Sequence, residues 1–217
     1  MHRILLCCLL AILSLDAQKL TTIAGNGTAG TSDNVIDQPF GLRIGPDGGL
    51  YFCDVGNHRI YRLDLRTREI AIIAGSGQKG DSGDGTPAPG ALLDEPYELA
   101  FDKAGNLFFC DRLGDVVRRV DRVSYEISTV VGNGEQGYYG DGGPAVKAQL
   151  WQPHSILFAP DGHLLICDIL NYRIRNFDPV SGLISTWAGT GKPGKAEDGA
   201  PIQGTPLDGP RPLFTSS

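Results

Sequence analysis

The sequence predicts an all-β chain folded as a β-propeller of four-stranded antiparallel blades, and three observations carry that expectation. A 57-residue repeat runs through the chain: Pro39, Pro96, Pro153 and Pro210 recur at that interval. So do Cys53, Cys110 and Cys167, the aspartates Asp54, Asp111 and Asp168 beside them, and Asp64, Asp121 and Asp178. A fixed period of a few tens of residues dictates the architecture. Each unit also holds four short runs of β-type residues separated by turn residues, the pattern of a meander. Finally, a lone four-stranded sheet cannot bury both faces, so the units must stack; stacked radially, such meanders form a propeller, whereas a linear β-helix uses much shorter rungs.

In the first unit the runs are Phe40 to Ile44, Leu50 to Cys53, Arg59 to Leu63 and Glu69 to Ala74. Between them lie Gly45-Pro46-Asp47-Gly48-Gly49, Asp54-Val55-Gly56-Asn57 and Asp64-Leu65-Arg66-Thr67-Arg68. Glycine supplies positive φ, and Asp or Asn side chains bond their own turns. The second unit repeats the plan with PYELAF, LFFCD, VVRRVD and EISTVVG, and the third with PHSILF, LLICD, RIRNFD and LISTWAG. The units cover about 39–75, 96–132 and 153–189, with the start of a fourth at 210.

Residues 1–17 read as a secretory signal peptide: His2 and Arg3 precede an apolar run from Ile4 to Leu13, followed by Leu15-Asp16-Ala17. The run is well short of the roughly 20 residues that span a bilayer. A secreted or periplasmic location follows, with residues 18–217 as the mature partial propeller. The net charge of −6 gives no electrostatic footprint for nucleic acid or an anionic membrane. Cys7 and Cys8 fall in the leader. The three repeat cysteines occupy equivalent places in successive units, about one unit width apart and beyond the roughly 7 Å Cα limit of a bridge. They are expected to be small core hydrophobes, with no disulfide. The same distance argues against a metal site built from all three.

The segments IAGNGTAG, NLFFCD, GNHRI and the loop Gly140 to Ala145 resemble the NHL repeat, as found in secreted bacterial proteins and in the extracellular domains of the teneurin class. The resemblance covers nearly all of residues 19–217 and is strong in the first and third units, through Asn57-His58-Arg59-Ile60 and Asn171-Tyr172-Arg173-Ile174. The second departs from it with Gly114-Asp115-Val116-Val117. A structural turn role is expected for Asp54, Asn57, Arg59, Asp111, Asp168, Asn171 and Arg173, whose side chains can bond the loop backbone.

The repeat also runs past both ends. KLTTIAG, residues 19–25, matches the fourth strand of a unit, and Gly25, Gly75, Gly132 and Gly189 close these strands. In NHL-type propellers such a strand is expected to complete the final blade. About three and a half blades of an expected six are present, and six would need on the order of 340 residues. Closing the ring calls for the remaining blades of the same protein, the favoured expectation, or for a second copy.

First strands of blades line the central channel, so the residues after each repeat proline come first for binding: Phe40, Tyr97, His154 and Arg211, followed by Glu98 and Ser155. They refuse to repeat where their neighbours do, and aromatic, His, Arg and Glu side chains meeting at one mouth would make a pocket. The expected function is a secreted, non-enzymatic binding or protein-interaction scaffold, whose protein, small-molecule or glycan ligand is unassigned. Related propellers include lactonases, amidating lyases and streptogramin lyases, so the alternative is a lyase or hydrolase with its remaining catalytic residues in further blades. His154 is the sole channel histidine, and a catalytic metal wants about three protein ligands. No catalytic residue and no cofactor is therefore assigned, and a divalent cation, calcium or zinc, enters only under the enzymatic reading. The acidic glycine loops at 80–85 and 140–143 lack the alternating ligands of a calcium loop and are read as turns. Asn26-Gly27-Thr28 fits a glycosylation acceptor if the source is eukaryotic.

Overall fold

The computed structural model describes residues 22–25 and 35–211. Expectations that fall on the leader, on Cys7 and Cys8, on Asn26 and on the stretch after Arg211 lie outside these residues. The first sheet is β1 (Pro39–Ile44), β2 (Leu50–Asp54), β3 (Arg59–Leu63) and β4 (Ile70–Ala74). The second is β5 (Pro96–Phe101), β6 (Leu107–Asp111), β7 (Val116–Val120) and β8 (Ile127–Val131). The third is β9 (Pro153–Phe158), β10 (Leu164–Asp168), β11 (Arg173–Asp178) and β12 (Leu183–Ala188). Each is an antiparallel meander in chain order. Among the described residues the helical elements are three single 3-10 turns, at Ala88–Gly90, Ala145–Lys147 and Ile169–Asn171.

Turn chemistry sets the period. Besides the all-glycine positions, left-handed φ recurs at three places in each unit: before the repeat proline at Gln38, Glu95 and Gln152; after β2 or its equivalent at His58, Asp115 and Tyr172; and before the last strand at Arg68, Tyr125 and Gly182. The first of these was not legible, because a residue preceding proline ordinarily prefers extended backbone. Of the segment KLTTIAG only residues 22–25 are described, and these carry no strand, while residues 19–21 lie outside the described residues.

The core lies between the sheets. Cys53, Ile60 and Ala74 of the first blade meet Leu99, Leu107, Phe109 and Ile127 of the second, with Ala88, Ala91 and Leu93 of the connecting loop between them. Cys110, Val117 and Val131 meet Ile156, Leu164, Ile166 and Ile184 in the same way. Each fully buried aliphatic side chain contributes about 1.5–3 kcal/mol of transfer free energy, so stacking rather than any one sheet stabilises the fold. The three repeat cysteines are buried and unbridged. Burial pushes the Cys167 thiol up to about 12, which keeps it protonated and apolar in character.

The connecting loops guard strand edges. Gly85 donates to the Ile127 carbonyl, Ile127 donates to Thr86, and Ala88 donates to Tyr125, so the first loop lies along β8 of the next blade. Gly142, Ala145 and Ile184 repeat the pattern along β12. An outer strand that would otherwise offer unpaired backbone groups is thereby covered.

Candidate functional site

The first strands β1, β5 and β9 pack against one another while the other strands fan outward. Each is interrupted by a register shift at one place: between Phe40 and Arg43, between Pro96 and Leu99, and between Pro153 and Ile156. Such bulges leave residues outside the ladder and re-aim their side chains. The residues left outside the ladder are Gly41 and Leu42, Tyr97 and Glu98, His154 and Ser155, while Phe40 stays paired with Cys53 at the edge of its bulge. Gly41 adopts φ +59°, and a Cβ there would stand 2.6 Å from the Tyr97 carbonyl oxygen, so glycine lets β1 approach β5.

The bulges bring the sequence-predicted residues together. The Phe40 and Tyr97 rings stack at 4.3 Å between centroids, and the Tyr97 and His154 rings follow at 4.0 Å, tilted by 51°. The result is a ladder of three rings, one from each blade, with Phe40 42% exposed at its open end. Next to Tyr97 in sequence, Glu98 holds its Oε1 3.2 Å from Arg43 Nη2, while Ser155 is buried. Burial raises the Glu98 carboxyl above its ordinary range, against the lowering pull of Arg43 and of the Leu99 amide. Burial, with the Arg211 and Arg112 charges nearby, lowers His154 to about 4, so its ring is neutral at pH 7. Arg211 thus reaches the same region electrostatically, although it comes from beyond the third blade.

Arg112 is a member of the site that sequence reasoning missed. Its guanidinium lies over the Tyr97 ring at 5.5 Å, donates to Gln152 Oε1 at 3.0 Å and pairs with Glu95. The signal was available: it stands where the first unit has Val55, another residue that refuses to repeat.

The turn residues act on backbone. Asp54 accepts from the Asp37 amide at 2.7 Å, Asp111 from the Asp94 amide at 2.6 Å and Asp168 from the Trp151 amide at 2.8 Å. Asn57 and Asn171 each donate to the neighbouring aspartate at 2.8 Å. Arg59 and Arg173 donate to the carbonyls of Ser76 and Thr190, each at 3.0 Å. Without that Asn and Arg, the second unit uses Asp115, which accepts from the Gln152 amide at 2.6 Å; His58 does the same for Glu95 at 3.3 Å.

Two buried arginines were not anticipated. Arg118 and Arg175, both 0% exposed, occupy the middle of β7 and β11, where the first unit has Tyr61. Arg175 stands 3.1 Å from Asp168 and 2.8 Å from Asp141; Arg118 stands 3.7 Å from Asp111 and 2.7 Å from Asp84. Asp84 and Asp141, the carboxylates of the acidic glycine loops, are thus engaged by guanidinium, and Asp84 also accepts from the Thr129 amide at 2.8 Å. Burial raises Asp111 to about 7 and Asp168 to about 6, opposed by hydrogen bonds from the Asp94 amide and from Asn171 and by the arginine charges. Among the described residues no cluster of three or more His, Cys, Asp or Glu has metal-binding geometry.

No family model matches the chain. The human NHL repeat-containing protein 2 is 26% identical over 215 residues, taking in 82% of this chain and 29% of the relative. Teneurin-3 of Mus musculus is 35% identical over 101 residues, 41% of this chain and 4% of its own length. The chain therefore spans less than a third of these curated relatives. Among solved structures, a structural genomics protein of unknown function from Bacteroides thetaiotaomicron superposes with a TM-score of 0.63 at 21% identity, over 80% of this chain and 41% of that one. An auxiliary nutrient binding protein from Bacteroides ovatus gives 0.58 at 15% identity, over 81% and 42%. At such identities the likeness is one of fold. The 57-residue repeat, its four-stranded sheets and these likenesses give the chain a β-propeller type of fold, similar in sequence to NHL repeat-containing proteins and teneurins.

Proposed function

We propose that this chain is an exported binding module whose ligand meets the ring ladder of Phe40, Tyr97 and His154. The ladder itself carries the reading: three different ring side chains, each following a repeat proline at or beside the bulge of its first strand, stack where repeat packing does not demand them. Aromatic side chains with a few placed polar groups are what ligand sites are commonly lined with. The apolar run Ile4 to Leu13 supports export.

The test uses saturation-transfer NMR with three probes of different charge, cellobiose, benzoate and choline, against the wild-type chain and a Phe40→Ala/His154→Ala variant checked for fold by circular dichroism. At least one probe is expected to receive saturation from the wild type and to lose most of it with the variant. Equal transfer from both proteins, or none from either, overturns the reading.

A further inference from the structure

The charges around the ladder are arranged in opposed pairs. Arg43 faces Glu98, and Arg112 faces Glu95 while lying over Tyr97. Glu98 keeps 17% of its side chain exposed, while Oε1, turned to Arg43, is closed off from solvent. The site therefore offers ring surface, charge-assisted acceptors and charge-assisted donors within one small region. Guanidiniums disfavour a cation there, while Glu98 and Glu95 disfavour an anion. A molecule with an apolar face and several hydroxyl groups meets no such conflict: its C–H face packs on the rings, and its hydroxyls both donate and accept.

Resting on the binding reading above, we infer that the site takes a neutral saccharide, its C–H face on Phe40 and the neighbouring ring edges and one hydroxyl donating to Glu98. The neutral imidazole of His154 leaves the ring ladder uncharged at pH 7, in keeping with such a ligand.

Cellobiose titrated into the 217-residue chain, followed by NMR, tests this. Wild type is expected to bind, Phe40→Ala to abolish binding, and Glu98→Gln, which keeps the shape of the side chain, to weaken it about tenfold through loss of a charge-assisted hydrogen bond. Glu98→Asp, which retains the carboxylate, should recover part of the loss. If benzoate or choline binds in a Phe40-dependent way and cellobiose does not, the saccharide assignment falls while the binding site stands. If Glu98→Gln binds cellobiose as wild type does, the role of Glu98 is overturned. If no probe binds through Phe40, both readings fall.

Discussion

His154 shows how one residue can be both a site member and a stability determinant. Burial and two neighbouring guanidiniums hold its pKa at about 4 in the folded chain against 6.5 ordinarily. A depressed folded-state pKa means that the unfolded chain binds the proton more tightly. The contribution is therefore fully present above pH 6.5 and lost as pH falls through about 4. Asp111 and Asp168 run the other way, since their raised values favour the folded state at low pH and lose that contribution as pH rises through about 7 and 6. Comparing wild type with His154→Gln isolates the histidine, because both proteins share the aspartates. Urea unfolding midpoints measured from pH 7 to pH 4 are expected to fall more steeply for wild type; parallel curves would refute the assigned environment.

The loops between blades matter more than their composition suggests. Glycine-rich acidic stretches read as turns, yet they form an extra layer along β8 and β12, held by Arg118 and Arg175 reaching out from inside the next blade. The latch joins three places: the loop aspartate, the buried arginine and the aspartate ending β6 or β10. Arg175→Leu leaves Asp168 buried without its cationic partner and is expected to cost about 3–5 kcal/mol. The double variant Asp168→Asn/Arg175→Leu removes the stranded charge and should recover part of that. Thermal or urea unfolding of the single and double variants checks the coupling, and strictly additive costs would argue against it.

Across the molecule, repeat-equivalent residues meet different surroundings. Leu42, Leu99 and Ile156 stand at the same position of their blades, yet the last two are 0% exposed and Leu42 is 53% exposed. Leu99 and Ile156 face the preceding blade, whereas the corresponding face of the first blade meets no sheet among the described residues. At the other end Cys167, Ile174 and Ala188, with Leu165 and Leu207, form a cluster that meets no further sheet among the described residues. Leu99→Ala is expected to cost about 2–5 kcal/mol, as for other buried leucines, and Leu42→Ala much less. Comparable losses for the two variants, measured by urea denaturation, would show that the Leu42 face is covered in solution.

The sequence by itself determined the blade plan. A 57-residue period, β-type runs and Gly, Asp and Asn turns are local signals, and strand boundaries read from them fall within about a residue of those observed. Even the ring-bearing positions were legible, as Phe40, Tyr97 and His154 vary where the prolines beside them do not. Only the tertiary structure decided what these residues do together. The bulges in the first strands depend on pairing with the second strands. The left-handed residues before the prolines break a local preference, and two of them, Glu95 and Gln152, are tied down by donating their amides to His58 and Asp115 of the preceding blade. The Arg118 and Arg175 latches join residues 34 apart in sequence. Local propensity writes the strands of a repeat protein, whereas contacts between units, each far apart along the chain, set the site.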